Sequence, residues 1–161
     1  WVKTGELGEY GIVNTEEKIS KKGLDESSCQ ISPINTILVG LYGEAVGKVG
    51  ILKTEAAYNQ ACSALVAKDE IGYPFLYEAL KNLQPQLKNL AVGSAQQNIN
   101  QGIVREQLVG IPPEKDRKKF NRIADNLSKL ATSYQRENKT INEMRNILLP
   151  KILSGKILLT G

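Results

Sequence analysis

Two stretches of this chain carry side chains suited to chemistry. The first is Gly40-Leu41-Tyr42-Gly43-Glu44-Ala45-Val46-Gly47-Lys48-Val49-Gly50, a glycine-punctuated run with a lysine able to face an anion. A phosphate-cradling loop would need glycine five residues before Gly47 and Ser or Thr after Lys48, but Tyr42 and Val49 stand there. A dinucleotide fingerprint fails as well, because Ala45 occupies the place of its first glycine. The run reads as a tight loop between strands. The second stretch, Gly93-Ser94-Ala95-Gln96-Gln97-Asn98-Ile99-Asn100-Gln101, concentrates uncharged donors and acceptors in an expected loop. Asn and Gln can pair bidentately with adenine, and Ser can reach bases or phosphates. On composition alone it is an ordinary polar loop.

Other chemistries find little support. The chain has no histidine, which removes imidazole acid–base catalysis, the triads that depend on it and imidazole metal sites. Glu16-Glu17, Asp25-Glu26 and Asp69-Glu70 are adjacent carboxylates in polar surroundings and read as solvated turns. Cys29 and Cys62 lie 33 positions apart with no CxxC spacing, which suits reduced thiols in a cytoplasmic protein. Ile111-Pro112-Pro113-Glu114 only superficially resembles a methyltransferase Asn/Asp-Pro-Pro-aromatic segment. Catalysis by this chain is not expected.

The elements that must position these residues fall into two textures. Residues 1–112 alternate short apolar runs with turn residues, and Tyr10–Val13, Thr36–Tyr42, Lys48–Lys53 and Cys62–Ala67 read as strands of a twisted sheet. A helix is predicted over residues 73–83, where Phe75, Leu76, Ala79, Leu80 and Leu83 share a face, with Pro74 near its start and Pro85 interrupting it. Past Pro112-Pro113 the pattern changes. Phe120, Ile123, Leu127, Leu130, Tyr134, Glu137, Ile141, Met144 and Leu148 follow strict 3-4 spacing, and only the glutamate is charged. Such a seam over four heptads predicts a coiled coil. The helix is expected from Pro113 to Leu149, ended by Pro150 and Gly155, and about 55 Å long. A rod of that length cannot bury its seam on the small domain before it, so it needs another helix.

The whole is an α+β chain of 161 residues: a small twisted-sheet domain, 1–112, and a long helix with a tail, 113–161. No apolar run reaches the eighteen or so residues of a membrane span. The chain opens Trp1-Val2-Lys3 and its one methionine is Met144, so it reads as part of a longer polypeptide.

Taken in order, these segments resemble the specificity (S) subunits of type I restriction–modification enzymes. The resemblance rests on Trp1-Val2-Lys3-Thr4-Gly5-Glu6-Leu7, then Thr36–Gly43 with Gly47-Lys48-Val49, then Asn59-Gln60-Ala61-Cys62 and Gly93–Ile99. Ile111-Pro112-Pro113 follows, with the heptad helix and its close, Leu148-Leu149-Pro150-Lys151-Ile152-Leu153-Ser154-Gly155-Lys156-Ile157. It implies a target recognition domain, its first strands missing here, and a spacer helix. Such a domain reads one half of a bipartite site in double-stranded DNA. Its helix pairs antiparallel with another, from the same polypeptide or a second copy, and docks the methyltransferase (M) subunits; a restriction (R) subunit completes the complex. S-adenosylmethionine belongs to the M subunit, and no cofactor is expected on this chain.

Under that resemblance the candidate DNA contacts are Tyr42, Lys48, Ser94, Gln96, Gln97 and Asn98, with Lys21 and Lys22 on phosphates. The helix interface would be Phe120, Ile123, Leu127, Leu130, Tyr134, Ile141, Met144 and Leu148. Charge gives a dissenting signal. Residues 1–112 hold 10 basic against 12 acidic residues, while residues 113–161 hold 11 against 5. A DNA-reading domain then needs a basic face segregated by folding, for which Lys3, Lys18, Lys21, Lys22 and Lys48 are candidates, or charge supplied from upstream. The competing expectation is a coiled-coil interaction module that binds protein and not DNA.

Overall fold

The computed structural model describes residues 1–8, 11–91 and 97–157. A short helix α1 (Lys21–Asp25) precedes strands β1 (Ile37–Gly40), β2 (Val49–Ile51) and β3 (Cys62–Leu65). Helices α2 (Tyr73–Ala91), α3 (Gln101–Arg105) and α4 (Glu114–Leu153) follow. The strands form an antiparallel sheet ordered β2-β1-β3, with Ile37 opposite Ile51 and Leu65, and Gly40 opposite Cys62.

The Ile37-Leu38-Val39 run is apolar throughout because both faces of the sheet are covered. Side chains alternate sides along a strand. Ile37 and Val39 pack with Val49, Ile51, Leu80, Leu87, Ala91 and Val104 on the α2 side. Leu38 packs with Val2, Leu7, Ile12, Leu52 and Cys62 on the other. The strands predicted at 36–42, 48–53 and 62–67 therefore form, each shorter than its apolar run. The stretch at 10–13 does not become a strand: Ile12 makes one isolated parallel bridge to Leu52, and Tyr10 lies outside the described residues.

Proline misleads twice. α2 passes through Pro85 and continues to Ala91. A helix-interior proline costs about 3 kcal/mol, yet stopping there would leave Leu87 and Ala91, both fully packed, outside the core. Burying a leucine alone gives about 2 kcal/mol, Ala91 adds to it, and the Pro85 ring itself is exposed. α4 likewise runs past Pro150 to Leu153, 40 residues or about 60 Å, with Pro113 as its N-cap. Gly155, at φ +69°, ends it. The Lys156 N–H donates to the Lys151 carbonyl at 2.9 Å and the Gly155 N–H to Ile152 at 3.0 Å, the paired closure of a Schellman cap.

One helix carries two different faces. The predicted seam residues Phe120, Ile123, Leu127, Leu130, Tyr134, Ile141, Met144 and Leu148 are all exposed, by 41% to 61%. The face that meets the sheet body is another one: Arg117, Asn121, Ala124, Asp125, Ser128, Thr132 and Gln135, spaced by helical turns and half-buried. It is small and polar.

Candidate nucleic-acid interface

β1 leads into a short 3-10 turn, Gly43–Ala45, which returns the chain to β2. The turn is tied at its base by Gly40 N–H to Lys48 O, 2.9 Å, and Gly47 N–H to Gly40 O, 3.0 Å. Gly47 sits at φ +74° with the Gln84 carbonyl and Leu87 against it, so a side chain there would push α2 off the sheet. Gly40 and Gly47 serve close packing and Gly43 a left-handed turn at φ +56°, in keeping with a tight loop between strands.

The second candidate stretch comes to the same place. Tyr42 and Asn98 form an antiparallel bridge. Gly43 N–H donates to Gln97 O at 2.9 Å, and Ile99 N–H to Leu41 O at 2.9 Å. Segments 56 residues apart in sequence thus set exposed Tyr42 opposite Asn98, with exposed Gln97 the next residue along. Lys48 stands half-buried at the foot of the turn. Ser94 and Gln96 lie outside the described residues. The expected loop ends sooner than its sequence suggested, because the Asn100 side chain accepts from Ile103 N–H and caps α3, which Gln101 opens.

Lys21 and Lys22 are not brought to this turn. They belong to α1, where Lys22 lies 3.9 Å from Glu26. Of the other lysines proposed for a basic face, Lys3 pairs with Glu17 and Lys18 donates to Asn14 and Thr15. What the sequence reading missed is α2. Lys88 shares a cavity of about 400 Å³ with Gly43, Glu44, Val46, Ala91 and Gln97. Lys81 shares a smaller one, about 260 Å³, with Leu7, Gly8, Lys48, Val49 and Gln84. Lys81 and Lys88 are seven residues apart, two helical turns, so the spacing that revealed the apolar face of α2 also put both cations on one side.

One basic residue, at the end of the Lys48–Lys53 strand run, is inside. Lys53 is 6% exposed. Its Nζ donates to Asn35 Oδ1 at 2.9 Å and lies 4.4 Å from the centre of the Tyr73 ring. Burial pushes this amine down to about 8, against the attraction of Asp125. The Tyr73 hydroxyl donates to Asp125 on α4, and burial followed by that bond pushes Tyr73 up to about 12. Lys129 and then Tyr73 hold Asp125 below the usual carboxylate range.

Around this contact the helix is bonded to the body by backbone acceptors. Arg117 Nε donates to Glu70 O at 3.0 Å, and Asn121 Nδ2 to Ile71 O at 2.8 Å. Asn121 Oδ1 accepts from Phe75 N–H at 3.0 Å, and Arg136 Nη2 donates to Lys53 O at 3.1 Å. Of these, the α4 residues Arg117, Asn121 and Arg136 were not singled out in the sequence.

Among the described residues no helix is long and apolar enough to cross a membrane. Comparison with known proteins matches residues 1–145 to the type I restriction modification DNA specificity domain. The HindI specificity subunit of Haemophilus influenzae is 28% identical over 149 residues, 91% of this chain and 32% of its own length. The MjaIX specificity subunit of Methanocaldococcus jannaschii is 22% identical over 149 residues, 89% of this chain and 34% of its own. The chain thus spans about a third of the curated relatives it matches. In fold it is similar to the type I restriction–modification S subunit from M. genitalium, with a TM-score of 0.60 at 23% identity over 74% of this chain and 33% of that one. With a match that covers the sheet body and most of the long helix, the chain belongs to the type I restriction modification DNA specificity domain family.

Proposed function

We propose that this chain is a target recognition domain with its spacer helix, reading one half of a bipartite duplex-DNA site within a type I restriction–modification complex. The observation that carries the reading is the family match over residues 1–145, which includes body and helix together. Base readout falls to the turn around Tyr42 with Gln97 and Asn98, joined by Ser94 and Gln96. An exposed glutamine amide can take both hydrogen bonds of an adenine edge in the major groove. Lys48, Lys21 and Lys22 take phosphates, and Lys81 and Lys88 add charge beside the reading turn.

The helix α4 supplies the spacer. Its exposed seam pairs with an antiparallel helix from the same polypeptide or a second copy, and the pair docks the M subunits. Those carry the methyltransferase chemistry and S-adenosylmethionine, and an R subunit adds cleavage in the full complex. This chain is non-catalytic and supplies the address, in the cytoplasm with the DNA.

One observation favours a second reading. The body carries two more acidic than basic residues, which suits a coiled-coil module whose body binds protein. The two differ in salt dependence. Phosphate contacts release counterions and give a steep fall of affinity with salt, whereas protein docking gives a shallow one. The deciding experiment maps modified sites by methylation-sensitive sequencing in a host carrying the complete system. A Gln96→Ala/Gln97→Ala double variant is then compared with the parent. A changed or lost half-site supports the reading turn; modification at unchanged rate and sequence removes those two residues from base readout.

A further inference from the structure

The junction between body and rod is built differently from every other packed surface of the molecule. The sheet is sealed by aliphatic side chains on both faces. The α4 seam is apolar too, yet its side chains stay 41% to 61% exposed, and only Phe120 and Leu127 at its near end border a cavity shared with the body. Where α4 meets the body the contacts are directional bonds, from Arg117 at one end to Arg136 at the other. Those residues are 19 apart, about 28 Å along a helix. Two attachments separated by that lever fix an angle, which one patch of apolar contact would leave free to pivot.

The middle of the lever holds the costliest group in the body. Lys53 reaches between Asn35 and the Tyr73 ring, and Tyr73 hands its hydroxyl proton to Asp125 as a hydrogen bond. A buried ammonium is expensive, and a methionine would fill the same space without the desolvation. Gly72, at φ +82°, brings the start of α2 so close that any Cβ there would run into the Asn121 side chain. Such bonds add little net stability where apolar packing is available, but they accept only one orientation.

We propose that the Lys53–Tyr73–Asp125 contact, with Arg117, Asn121 and Arg136 beside it, sets the angle of the reading body on its spacer helix and so the half-site separation the assembly accepts. These are positioning residues: they lie at the junction and touch no base. The inference rests on the function proposed above and names which bonds make its spacing rigid. A one-base-pair change in spacing moves a half-site by about 3.4 Å along the DNA axis, a displacement that a pivoting body absorbs and a bonded one does not.

The test has two arms, both on the full-length polypeptide assembled with its M subunits. Nitroxide labels go on Gln86→Cys in α2 and Asn142→Cys in α4, in a Cys29→Ser background. Cys62 stays unlabelled because it is buried and its thiol is pushed up to about 12. Double electron–electron resonance then gives the spread of distances between body and rod. In the second arm, equilibrium binding is measured on the mapped bipartite duplex and on duplexes with one base pair added to or removed from the non-specific spacer.

The parent is expected to show one narrow distance and at least a tenfold preference for the native spacer. Tyr73→Phe and Lys53→Met are expected to broaden the distances at least twofold. They should also cut the spacer preference below threefold, with preference for the half-site sequence retained. Lys53→Met keeps the packed stem, so a folded variant remains should Tyr73→Phe prove unstable. Narrow distances in the folded variants overturn the proposal, as do broadened distances with spacer preference intact. A parent that prefers no bipartite duplex sinks the function reading instead, and the distance arm alone then decides the junction.

Discussion

Replacing Lys53 by methionine probes a charge held where the body meets the rod. The folded amine titrates near 8 and the unfolded one at 10.5. That gap sets about 3 kcal/mol against the charged form in the folded state. At pH 7 the variant is relieved of this cost but loses the bond to Asn35 and the contact with the Tyr73 ring, together about 2 kcal/mol. It is expected to be more stable than the parent by about 1 kcal/mol. The pH dependence is the sharper measurement. Because the folded value lies below the unfolded one, the unfolded chain holds more protons between pH 8 and 10.5, so the parent gains stability as pH rises through that window. Integrated from pH 7 to 9, the gain is about 1 kcal/mol, and the methionine variant lacks it. Cys62 works the other way, since its thiol is raised from 9.0 to about 12 and its contribution fades above pH 9. Tyr73 does the same above pH 10. Both terms are common to the two proteins and cancel in the difference. Urea unfolding at pH 7 and pH 9 gives the four values, provided the denaturant slopes agree. A parent-minus-variant difference that is flat or falls with pH would refute the buried-charge account.

Three further outcomes follow from the packing. Gly72→Ala should destabilise by about 3 kcal/mol in the same assay, from the left-handed backbone and the loss of both Asn121 bonds. Gly5→Ala, where an added side chain meets nothing within 4 Å and the backbone is not left-handed, is the control. Leu127→Asp/Leu130→Asp should cost the folded body about 1 kcal/mol at most, in helix propensity, because both side chains are exposed. It should nevertheless lower the molar mass in light scattering, and a parent that stays monomeric at high concentration counts against the seam. Pro85→Ala should raise the thermal midpoint, with a gain of up to about 3 kcal/mol, since the helix already continues through that position.

How much of this could be read from the chain depends on which forces are local. The seam from Phe120 to Leu148 was readable because heptad spacing is a property of one helix. The sheet was readable because a strand covered on both faces must be apolar at every position, as Ile37-Leu38-Val39 is. Pro85 was misread because a local penalty was weighed without the burial beyond it, which Leu87 and Ala91 supply together; past Pro150 the last turn is held by its closing cap and not by burial, since Leu153 is 79% exposed. Lys53 was invisible: at the end of a strand-like run, nothing in the sequence separates a buried amine from a solvated one. Arg117, Asn121, Asp125 and Arg136 looked like the wet side of a coiled coil. Tyr42 and Asn98 each stood out by type, but their bridge across 56 residues is a tertiary event. Lys48, Lys81 and Lys88 lie near the turn around Tyr42, while Lys3 and Lys22 have acidic neighbours and Lys53 is removed from the surface altogether.

The two faces of α4 explain each other. A helix with an apolar seam cannot also dock its own body through apolar packing without ambiguity. A second aliphatic stripe would let the body bind the seam, or let a partner helix bind the body's stripe, with little energy between the arrangements. Making the docking face small and hydrogen-bonded removes that degeneracy. Ala124 and Ser128 are small, Asn121 bonds the Ile71 carbonyl and the Phe75 N–H at the start of α2, Arg117 takes the carbonyls of Glu70 and Pro112, and Asp125 accepts from the Tyr73 hydroxyl. The apolar seam is then left exposed along the rod. An Asp125→Leu/Asn121→Leu variant tests this division: it should retain helix content by circular dichroism while associating in more than one stoichiometry by light scattering. If it keeps the single association state of the parent, the polar face is not what separates the two surfaces.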